Sequence, residues 1–322
     1  MQTPTPPTPQ AIEAARALIA PHIRRTPLIE LNLGLADRRV FVKLETLQPI
    51  GAFKLRAALA ALLGRERSEL QQGVAVPSSG NMAYGVAWAA HRLGVPMAAY
   101  MVADAPRAKI EGVRKLGGDV RFVTAETWWD YIVRTDSPDA PELLINPVTD
   151  AHVLAGNGSI GLEIVEDLPD PDWVLTPFGG GGLTSGVAAA VKARSPRTRV
   201  LAIEGEHAAP ATAALQAGQV VTVPTTDSFV KSMGGPSVVP QLWPVVRELI
   251  DGTSVVTLAQ IVQAMQLLFS HAKVVAEGAG AAALAAAIHD PRTTGSVVCV
   301  VSGGNIDPAA YVHALQGQVP PP

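Results

Sequence analysis

The 322-residue sequence is poor in cysteine, in aromatic residues and in net charge. Cys299 is the only cysteine, which excludes a framework of intramolecular disulfides. It lies in the apolar run Val297 to Val301, where core packing is its expected role. Lysine and arginine number 25 against 28 aspartate and glutamate residues, and no basic run stands out. The electrostatic footprint of a nucleic-acid-binding protein is therefore missing, and a small-molecule partner is expected.

The sequence also lacks long apolar stretches. No uninterrupted apolar run is long enough to span a bilayer, so no membrane partner is expected. The first ten residues are rich in proline and threonine and lack the basic and apolar regions of a secretory signal. We therefore expect a soluble, cytoplasmic protein.

Short β-branched runs alternate with longer stretches rich in alanine and leucine. This alternation predicts an α/β protein with mostly parallel sheets and helices on their faces. Hydrophobic residues make up 48% of the sequence, with 29 glycines and 27 prolines for tight loops. The predicted strands are Val40 to Leu44, Gly73 to Pro77, Met97 to Val102, Val120 to Val123, Trp173 to Thr176, Arg199 to Glu204 and Ser296 to Val301. The predicted helices include Ala11 to Ile19, Phe53 to Arg65, Ala83 to Leu93 and Leu183 to Ala193.

The length predicts two lobes, because an average domain holds roughly 150 residues. We expect residues 1–73 and 148–322 to form a larger domain and residues 74–147 a smaller one. The segment Asp136 to Glu142, which contains two prolines, is the expected crossing between them. Folds of this kind bind ligands in the cleft between their lobes.

Four consecutive glycines, Gly179 to Gly182, follow the predicted strand Asp172 to Phe178 and precede a helical stretch. Without Cβ atoms, consecutive backbone N–H groups can converge on an anion, and the following helix adds its positive dipole end. A merely tight turn needs only one or two glycines. The pattern predicts a phosphate-binding loop.

The segment Gly156 to Gly161 matches the glycine fingerprint of dinucleotide-binding proteins. That fingerprint requires a firm strand before it and an acidic residue that closes the next strand. Here only His152 to Ala155 precedes it, and Asp172 stands before the next strand. NAD binding is therefore the weaker interpretation, and we expect this loop to begin a helix near the cleft.

Lys54 falls in the first turn of a predicted helix, after a turn through Pro49 and Gly51. There the helix dipole and partial burial can lower the pKa of its ammonium group and leave a neutral amine able to form an imine. In isolation, a lysine at a helix start is a solvated surface residue. Its interpretation therefore depends on the other motifs.

Two polar turns accompany this lysine. The turn Ser78-Ser79-Gly80-Asn81 begins a helix, where N–H groups and hydroxyls can hold a carboxylate and the Asn81 amide can donate to a phenolate oxygen. Ser302 follows a predicted strand at its carboxyl end, the side on which such sheets bind ligands.

Six ordered motifs resemble the threonine/serine dehydratase and serine racemase family of pyridoxal-phosphate enzymes. That family has the tryptophan-synthase β-like fold, called fold type II, with two open twisted sheet lobes and a cleft between them. The similarity covers nearly everything from Thr26 to Asp307. The motifs are Lys43 to Arg56, Pro77 to Asn81, Leu154 to Glu163, Gly179 to Gly182, Glu277 to Ala281 and Ser302 to Asn305.

The resemblance implies that the larger domain binds pyridoxal 5'-phosphate and the smaller one binds the substrate carboxylate. Lys54 would form a Schiff base with the cofactor and act as a base, and Ser79 matches the second acid/base of racemases. The cofactor-binding residues would be Phe53, Lys54, Asn81, Gly179, Gly180, Gly181, Gly182, Leu183 and Ser302. The substrate-binding residues would be Ser78, Ser79, Gly80, Asn81 and Met82.

Four positions depart from the motifs of the family. Ala52 replaces a serine, Met82 a histidine and Tyr84 a glutamine. Phe229 stands where the family has a glycine near the cofactor, and it is expected to narrow the pocket or displace its loop. These changes leave the amino acid that is the substrate open.

The metal site of racemase-like members is incomplete in this sequence. Glu204 matches one carboxylate of that site, but Pro210 takes the place of a second one. A single carboxylate supplies few of the oxygen ligands that a divalent cation needs, so no essential metal is expected.

The expected activity is that of an ammonia-lyase, or dehydratase, on a hydroxy amino acid such as L-threonine or L-serine, giving a 2-oxo acid and ammonia. The alternatives are an amino-acid racemase, a β-replacement synthase and a non-catalytic relative that binds the cofactor or an amino acid. Synthases usually carry Thr-Ser-Gly-Asn-Thr-Gly where this sequence has Ser78 and Met82. The family resemblance also implies a homodimer.

Overall fold

The computed structural model describes residues 4–103, 105, 107–134 and 141–322. None of the helices in these ranges is long and apolar enough to cross a membrane. The strands are β1 (Leu28–Leu31), β2 (Arg38–Leu44), β3 (Val74–Pro77), β4 (Met97–Val102), β5 (Asp119–Val123), β6 (Leu143–Leu144), β7 (Trp173–Pro177), β8 (Arg199–Gly205), β9 (Gly252–Val256) and β10 (Gly295–Val301). The α-helices are α1 (Pro9–Ile19), α2 (Lys54–Leu63), α3 (Asn81–Leu93), α4 (Arg107–Lys115), α5 (Ala125–Arg134), α6 (Ala151–Asp167), α7 (Gly182–Arg194), α8 (Pro210–Ala217), α9 (Trp243–Leu249), α10 (Leu258–Leu267), α11 (Gly278–His289) and α12 (Pro308–Leu315).

The strands form two sheets. The larger has the order β1-β2-β10-β7-β8-β9 and is parallel except for β1, which runs antiparallel to β2. The smaller has the order β5-β4-β3-β6 and is parallel throughout. Parallel neighbours need long crossover connections, which the helices supply. The α/β fold with two mostly parallel sheets is thereby confirmed.

Helices cover both faces of the larger sheet. Alternate residues of β10 point to opposite faces, as the pleat requires. Val298 and Val300 pack in one apolar cluster with α6, α7 and α9. Val297, Cys299 and Val301 pack in another with α10, α11 and α12. Cys299 is a free, buried thiol, so its predicted role in the core is confirmed.

In the chain, the strands of the smaller sheet lie between β2 and α6. The segments that enter and leave this sheet run side by side. Leu143 N–H donates to Gly73 O at 3.1 Å and Ile145 N–H donates to Ala75 O at 2.7 Å. The chain therefore enters and leaves this sheet through neighbouring strands. The crossing expected at Asp136 to Glu142 lies largely outside the described residues. All four strands lie within residues 74–147, and we propose these residues as the bounds of the smaller domain.

The interpretation of Gly156 to Gly161 as a loop that begins a helix was wrong, because these residues lie inside α6. The helix begins after Asp150, whose carboxylate accepts hydrogen bonds from the first-turn N–H groups. A Cβ built on Gly156 would lie 2.6 Å from Arg56 O of α2, and one on Gly161 would lie 2.6 Å from Val187 O of α7. These glycines let three helices approach closely and form no dinucleotide-binding turn, so the NAD alternative is withdrawn.

Candidate active site

Lys54 is the first residue of α2, as the sequence predicted. The chain before it is held against the carboxyl end of β10. Phe53 N–H donates to Ser302 O at 2.9 Å, and Ala52 pairs with Gly303 in an isolated β-bridge. The start of α2 is therefore fixed next to Ser302.

The Lys54 amine lies in a desolvated position. Its Nζ is 3.5 Å from Pro147 O and 5.0 Å from the centroid of the Phe53 ring. Burial lowers the pKa of Lys54 to about 8, because low-dielectric surroundings disfavour the ammonium form. Part of the side chain stays accessible. With a pKa of about 8, the amine is neutral in a minority of molecules near physiological pH, a far larger share than for an ordinary lysine.

The glycine loop lies beside this amine. Gly181 has φ +93°, a conformation that L side chains rarely adopt. A Cβ built on Gly182 would lie 3.4 Å from Pro147 O, the same carbonyl that meets Lys54. Helix α7 begins at Gly182 and continues through the buried Leu183, so the N–H groups of its first turn have no partner within the helix. The loop can bind an anion close to Lys54.

Asn81 begins α3 and is held by two partners from the larger lobe. Its Nδ2 donates to Glu277 Oε1 at 2.7 Å, and its Oδ1 accepts from Asn305 Nδ2 at 2.9 Å. A carboxamide carries two N–H bonds, so one remains for a ligand. The network orients the amide and connects the two lobes.

The hydroxyls of the turn before Asn81 already accept hydrogen bonds. Ser78 Oγ accepts from Gly80 N–H at 3.2 Å, and Ser79 Oγ accepts from Val102 N–H at 3.0 Å. Each hydroxyl keeps its own hydrogen for donation. Since Gly80 N–H has a partner, carboxylate binding at this turn falls mainly to the free N–H groups in the first turn of α3.

Glu277 is a site residue that sequence reasoning did not identify. Its carboxyl is buried, and it accepts from Asn81 and, at 3.2 Å, from Ser232 Oγ. A Cβ built on Gly303 would lie 2.7 Å from Glu277 Oε1. Burial raises the pKa of Glu277. The only sequence signal was its place at the head of the motif Glu277 to Ala281.

Successive contacts join these motifs in one closed ring, and we infer that the space it encloses is the opening of the site. Lys54 and the glycine loop share Pro147 O, and a Cβ built on Gly179 would lie 3.2 Å from Ser232 O. Most of the predicted site residues are thereby brought together, although they come from distant parts of the chain. In order around the opening lie Lys54, Pro147, Gly182, Gly179, Ser232, Glu277, Asn81, Gly303, Ser302 and Phe53.

A buried ion cluster surrounds Arg56, which lies on α2 two residues after Lys54. Arg56 is bound by Glu45 at 2.8 Å and by Glu163 at 2.6 Å, and Lys43 binds Glu163 at 2.7 Å. All four side chains are at most 4% exposed. The two positive and two negative charges balance, which a buried group of ions requires.

Three of the residues that depart from the family motifs pack against helices. Met82 is 2% exposed and belongs to the apolar cluster between α2 and α3. The Tyr84 ring lies against Gly112 of α4, 3.3 Å from a Cβ built there, and the Phe229 ring lies 2.9 Å from a Cβ built on Gly278. The Met82 side chain is therefore a core residue, and only its backbone N–H faces the turn.

Glu204 is engaged in capping a helix. Its carboxylate accepts from Ala211 N–H at 2.7 Å and from both the N–H and the hydroxyl of Thr212. These bonds satisfy the first turn of α8. Across the part of the chain that the structure describes, no group of three His, Cys, Asp or Glu side chains could hold a metal ion.

The groups around the opening fit pyridoxal 5'-phosphate. The glycine loop offers backbone N–H groups and no side chains to a phosphate, and Lys54 offers an amine with a lowered pKa to an aldehyde. Ser302, buried at the carboxyl end of β10, offers an uncharged hydroxyl. A cofactor with a phosphate and a carbonyl group matches this set.

Relative to wild type, the cofactor-free Glu277→Gln protein should be more stable, by an amount that grows as the pH rises. The raised pKa means that the folded state holds this proton more tightly than the unfolded chain, whose ordinary value is 4.5. The stability of the wild type therefore decreases as the pH rises from 4.5 through the raised pKa. Glu277→Gln has no titrating group at this position, so its stability does not decrease for this reason. Thermal unfolding across this pH range measures the effect.

The matched control is Glu248→Gln, at an exposed position of α9. A difference in Tm between Glu277→Gln and wild type that stays constant with pH would contradict the raised pKa of Glu277.

Comparison with known proteins identifies relatives over nearly the whole chain. The family described as "Pyridoxal-phosphate dependent enzyme" matches residues 19–303. An L-threonine ammonia-lyase of Geobacter sulfurreducens is 35% identical over 304 residues, covering 92% of this chain and 75% of the relative. A serine racemase of Oryza sativa subsp. indica is 33% identical over 308 residues, covering 92% and 90%. The structure of maize serine racemase superposes with a TM-score of 0.88 at 32% identity, covering 97% of this chain and 98% of that one.

Proposed function

This chain belongs to the family of pyridoxal-phosphate-dependent enzymes, and from that membership we propose that it is an ammonia-lyase acting on a hydroxy amino acid such as L-threonine or L-serine. The products would be a 2-oxo acid and ammonia. The observation that carries the proposal is the desolvated Lys54 amine beside the glycine loop. The similarity to an L-threonine ammonia-lyase supports the choice of reaction.

We assign the cofactor contacts as follows. Lys54 would form the covalent bond to the cofactor, and the N–H groups of Gly179 to Leu183 would hold its phosphate. The free N–H of Asn81 would donate to the ring oxygen, the Phe53 ring would lie against the cofactor ring, and the Ser302 hydroxyl would bind the ring nitrogen. When bound, the cofactor supplies a conjugated ring that withdraws electrons from the substrate α-carbon and makes its proton removable.

Lys54 then serves as the base. As a free amine with a lowered pKa, its Nζ would be suited to accept the α-proton of the substrate. The β-hydroxyl leaves, so that proton and hydroxyl are lost as water. Water then adds at the α-carbon and releases ammonia. The Ser302 hydroxyl is uncharged and would not impose a positive charge on a ring nitrogen, which would favour loss of the β-hydroxyl over a long-lived carbanion.

Racemisation is the second candidate, and Ser79 favours it. Its hydroxyl keeps a hydrogen to donate while Val102 N–H orients the oxygen. A proton delivered by Ser79 to the other face of the α-carbon would invert the amino acid. The similarity to serine racemases supports this alternative.

Borohydride trapping followed by a substrate panel tests the proposal. Reduction of the cofactor-loaded protein should fix the cofactor on Lys54, as peptide mass mapping would show. L-Threonine and L-serine, with other amino acids alongside, are then assayed for 2-oxo acid, ammonia and the D-enantiomer. We expect equal amounts of 2-oxo acid and ammonia from a hydroxy amino acid. D-enantiomer without 2-oxo acid would favour the racemase, and no product would exclude both activities.

We also propose that the protein acts as a cytoplasmic homodimer, as the family resemblance implies. Light scattering during size-exclusion chromatography would give a mass near twice that of the 33.5 kDa chain.

A further inference from the structure

Lys109 is a lysine that has no role in the proposed cofactor binding or proton transfer. It lies on α4, which packs against α3 where the Tyr84 ring meets Gly112. Residues three apart share one face of a helix, so Lys109 lies one turn from this contact, on the side towards α3. Its ammonium group is thereby directed at the turn that begins α3.

The distances place the ammonium over that turn. Lys109 Nζ lies 3.9 Å from a Cβ built on Gly80. Its side chain is half-buried, and among the described residues it has no ion pair or hydrogen bond. Across the opening, its positive charge acts on Glu277 and opposes the rise in the pKa of that carboxyl caused by burial. Among the residues that the structure describes, Lys109 therefore brings a positive charge without a bonded counter-ion to this turn.

The carboxylate of an amino-acid substrate carries the negative charge that would pair with a positive charge at this position. The turn Ser78 to Asn81 is uncharged, so its N–H groups alone would hold the carboxylate with neutral donors. Hydrogen bonds in which both partners are charged are shorter and stronger than neutral ones. Glu277 is hydrogen-bonded to Asn81 and Ser232, and burial acts against the charged form of its carboxyl.

We propose that Lys109 binds the carboxylate of the amino-acid substrate, together with the N–H groups in the first turn of α3. The inference rests on the proposed function, because it takes the ligand to be an amino acid. It makes Lys109 a substrate-binding residue that selects for a free carboxylate.

A pair of ligands that differ only in this carboxylate tests the role of Lys109. L-Alanine and L-alaninamide have no β-leaving group, so their binding can be followed by the visible absorbance of the cofactor-loaded enzyme. Lys109→Met should raise the Kd for L-alanine about tenfold or more, the worth of a charged hydrogen bond. The Kd for L-alaninamide should change by less than about twofold. Lys109→Arg should restore L-alanine binding, and Lys109→Gln provides a polar, uncharged variant.

Lys115→Met is the matched control, since it removes an exposed lysine from the same helix. An equal rise in both Kd values for Lys109→Met and Lys109→Gln would show a structural role and overturn the proposal, as would an unchanged Kd for L-alanine. A wild-type enzyme that carries the cofactor on Lys54 but binds neither ligand would instead contradict the proposed function. In that case the proposed role of Lys109 fails together with the proposed function.

Discussion

Replacing Lys54 with alanine should lower kcat by about 10²–10⁴-fold, because the substitution removes the base for the α-proton, and general bases contribute a factor of this size. It should also abolish covalent attachment of the cofactor after borohydride reduction. The glycine loop and Asn81 remain in Lys54→Ala, so the cofactor should still bind reversibly. Activity assays and mass spectrometry of the reduced protein measure the two effects.

Exposed Lys115 provides the control for the loss of a lysine, and Lys115→Ala should keep both activity and labelling. Added ethylamine should restore part of the activity of Lys54→Ala, since a free amine can enter the space left by the side chain. Borohydride labelling of another lysine in Lys54→Ala, with activity retained, would show that Lys54 is not the anchor.

Replacing Arg56 with methionine should destabilise the protein by about 3–5 kcal/mol, the usual cost of removing one partner from a buried ion pair. Glu45 and Glu163 would remain buried, with only Lys43 to oppose two negative charges. Arg56→Lys should recover only part of the loss, because an ammonium cannot bond two carboxylates through the planar fork of a guanidinium. Urea unfolding of the cofactor-free proteins gives the free energies.

Two further variants separate charge balance from lost packing. Adding Glu45→Gln to Arg56→Met leaves the pair of Lys43 and Glu163, and it should recover part of the stability. Arg39→Met, which breaks an exposed ion pair with Glu30, should change the urea concentration at the midpoint of unfolding only slightly. Equal midpoints for Arg56→Met and Arg39→Met would contradict a structural role for the cluster.

The sequence predicted the fold largely through its alternation of apolar patterns. The strand Met97–Val102 was predicted to the residue, because a short continuous apolar run is typical of a buried parallel strand. The short strands Leu28–Leu31 and Leu143–Leu144 were missed, since two to four residues hold too little periodicity. The error at Gly156 has another cause: glycine that permits close helix packing and glycine that permits a turn look identical in sequence.

The site was predicted where a motif carries its own chemistry, as at Lys54 and the glycine loop. Glu277 and Lys109 were missed because their surroundings are created by tertiary contacts, in one case burial and in the other the packing of α4 on α3. Arg56 had a usable signal. It is the only charged residue between Lys54 and Arg65 in an otherwise apolar helix, a pattern that favours a buried ion with partners from elsewhere.

The chain enters and leaves the smaller sheet through neighbouring strands. Since Leu143 N–H donates to Gly73 O, the two connections lie side by side, an arrangement that would let the smaller sheet turn as a unit about them. Such a rotation moves the atoms far from the axis most. Rotation of the smaller lobe would therefore change the Asn81–Glu277 distance, so the hydrogen bond between these two residues would have to break in any such movement.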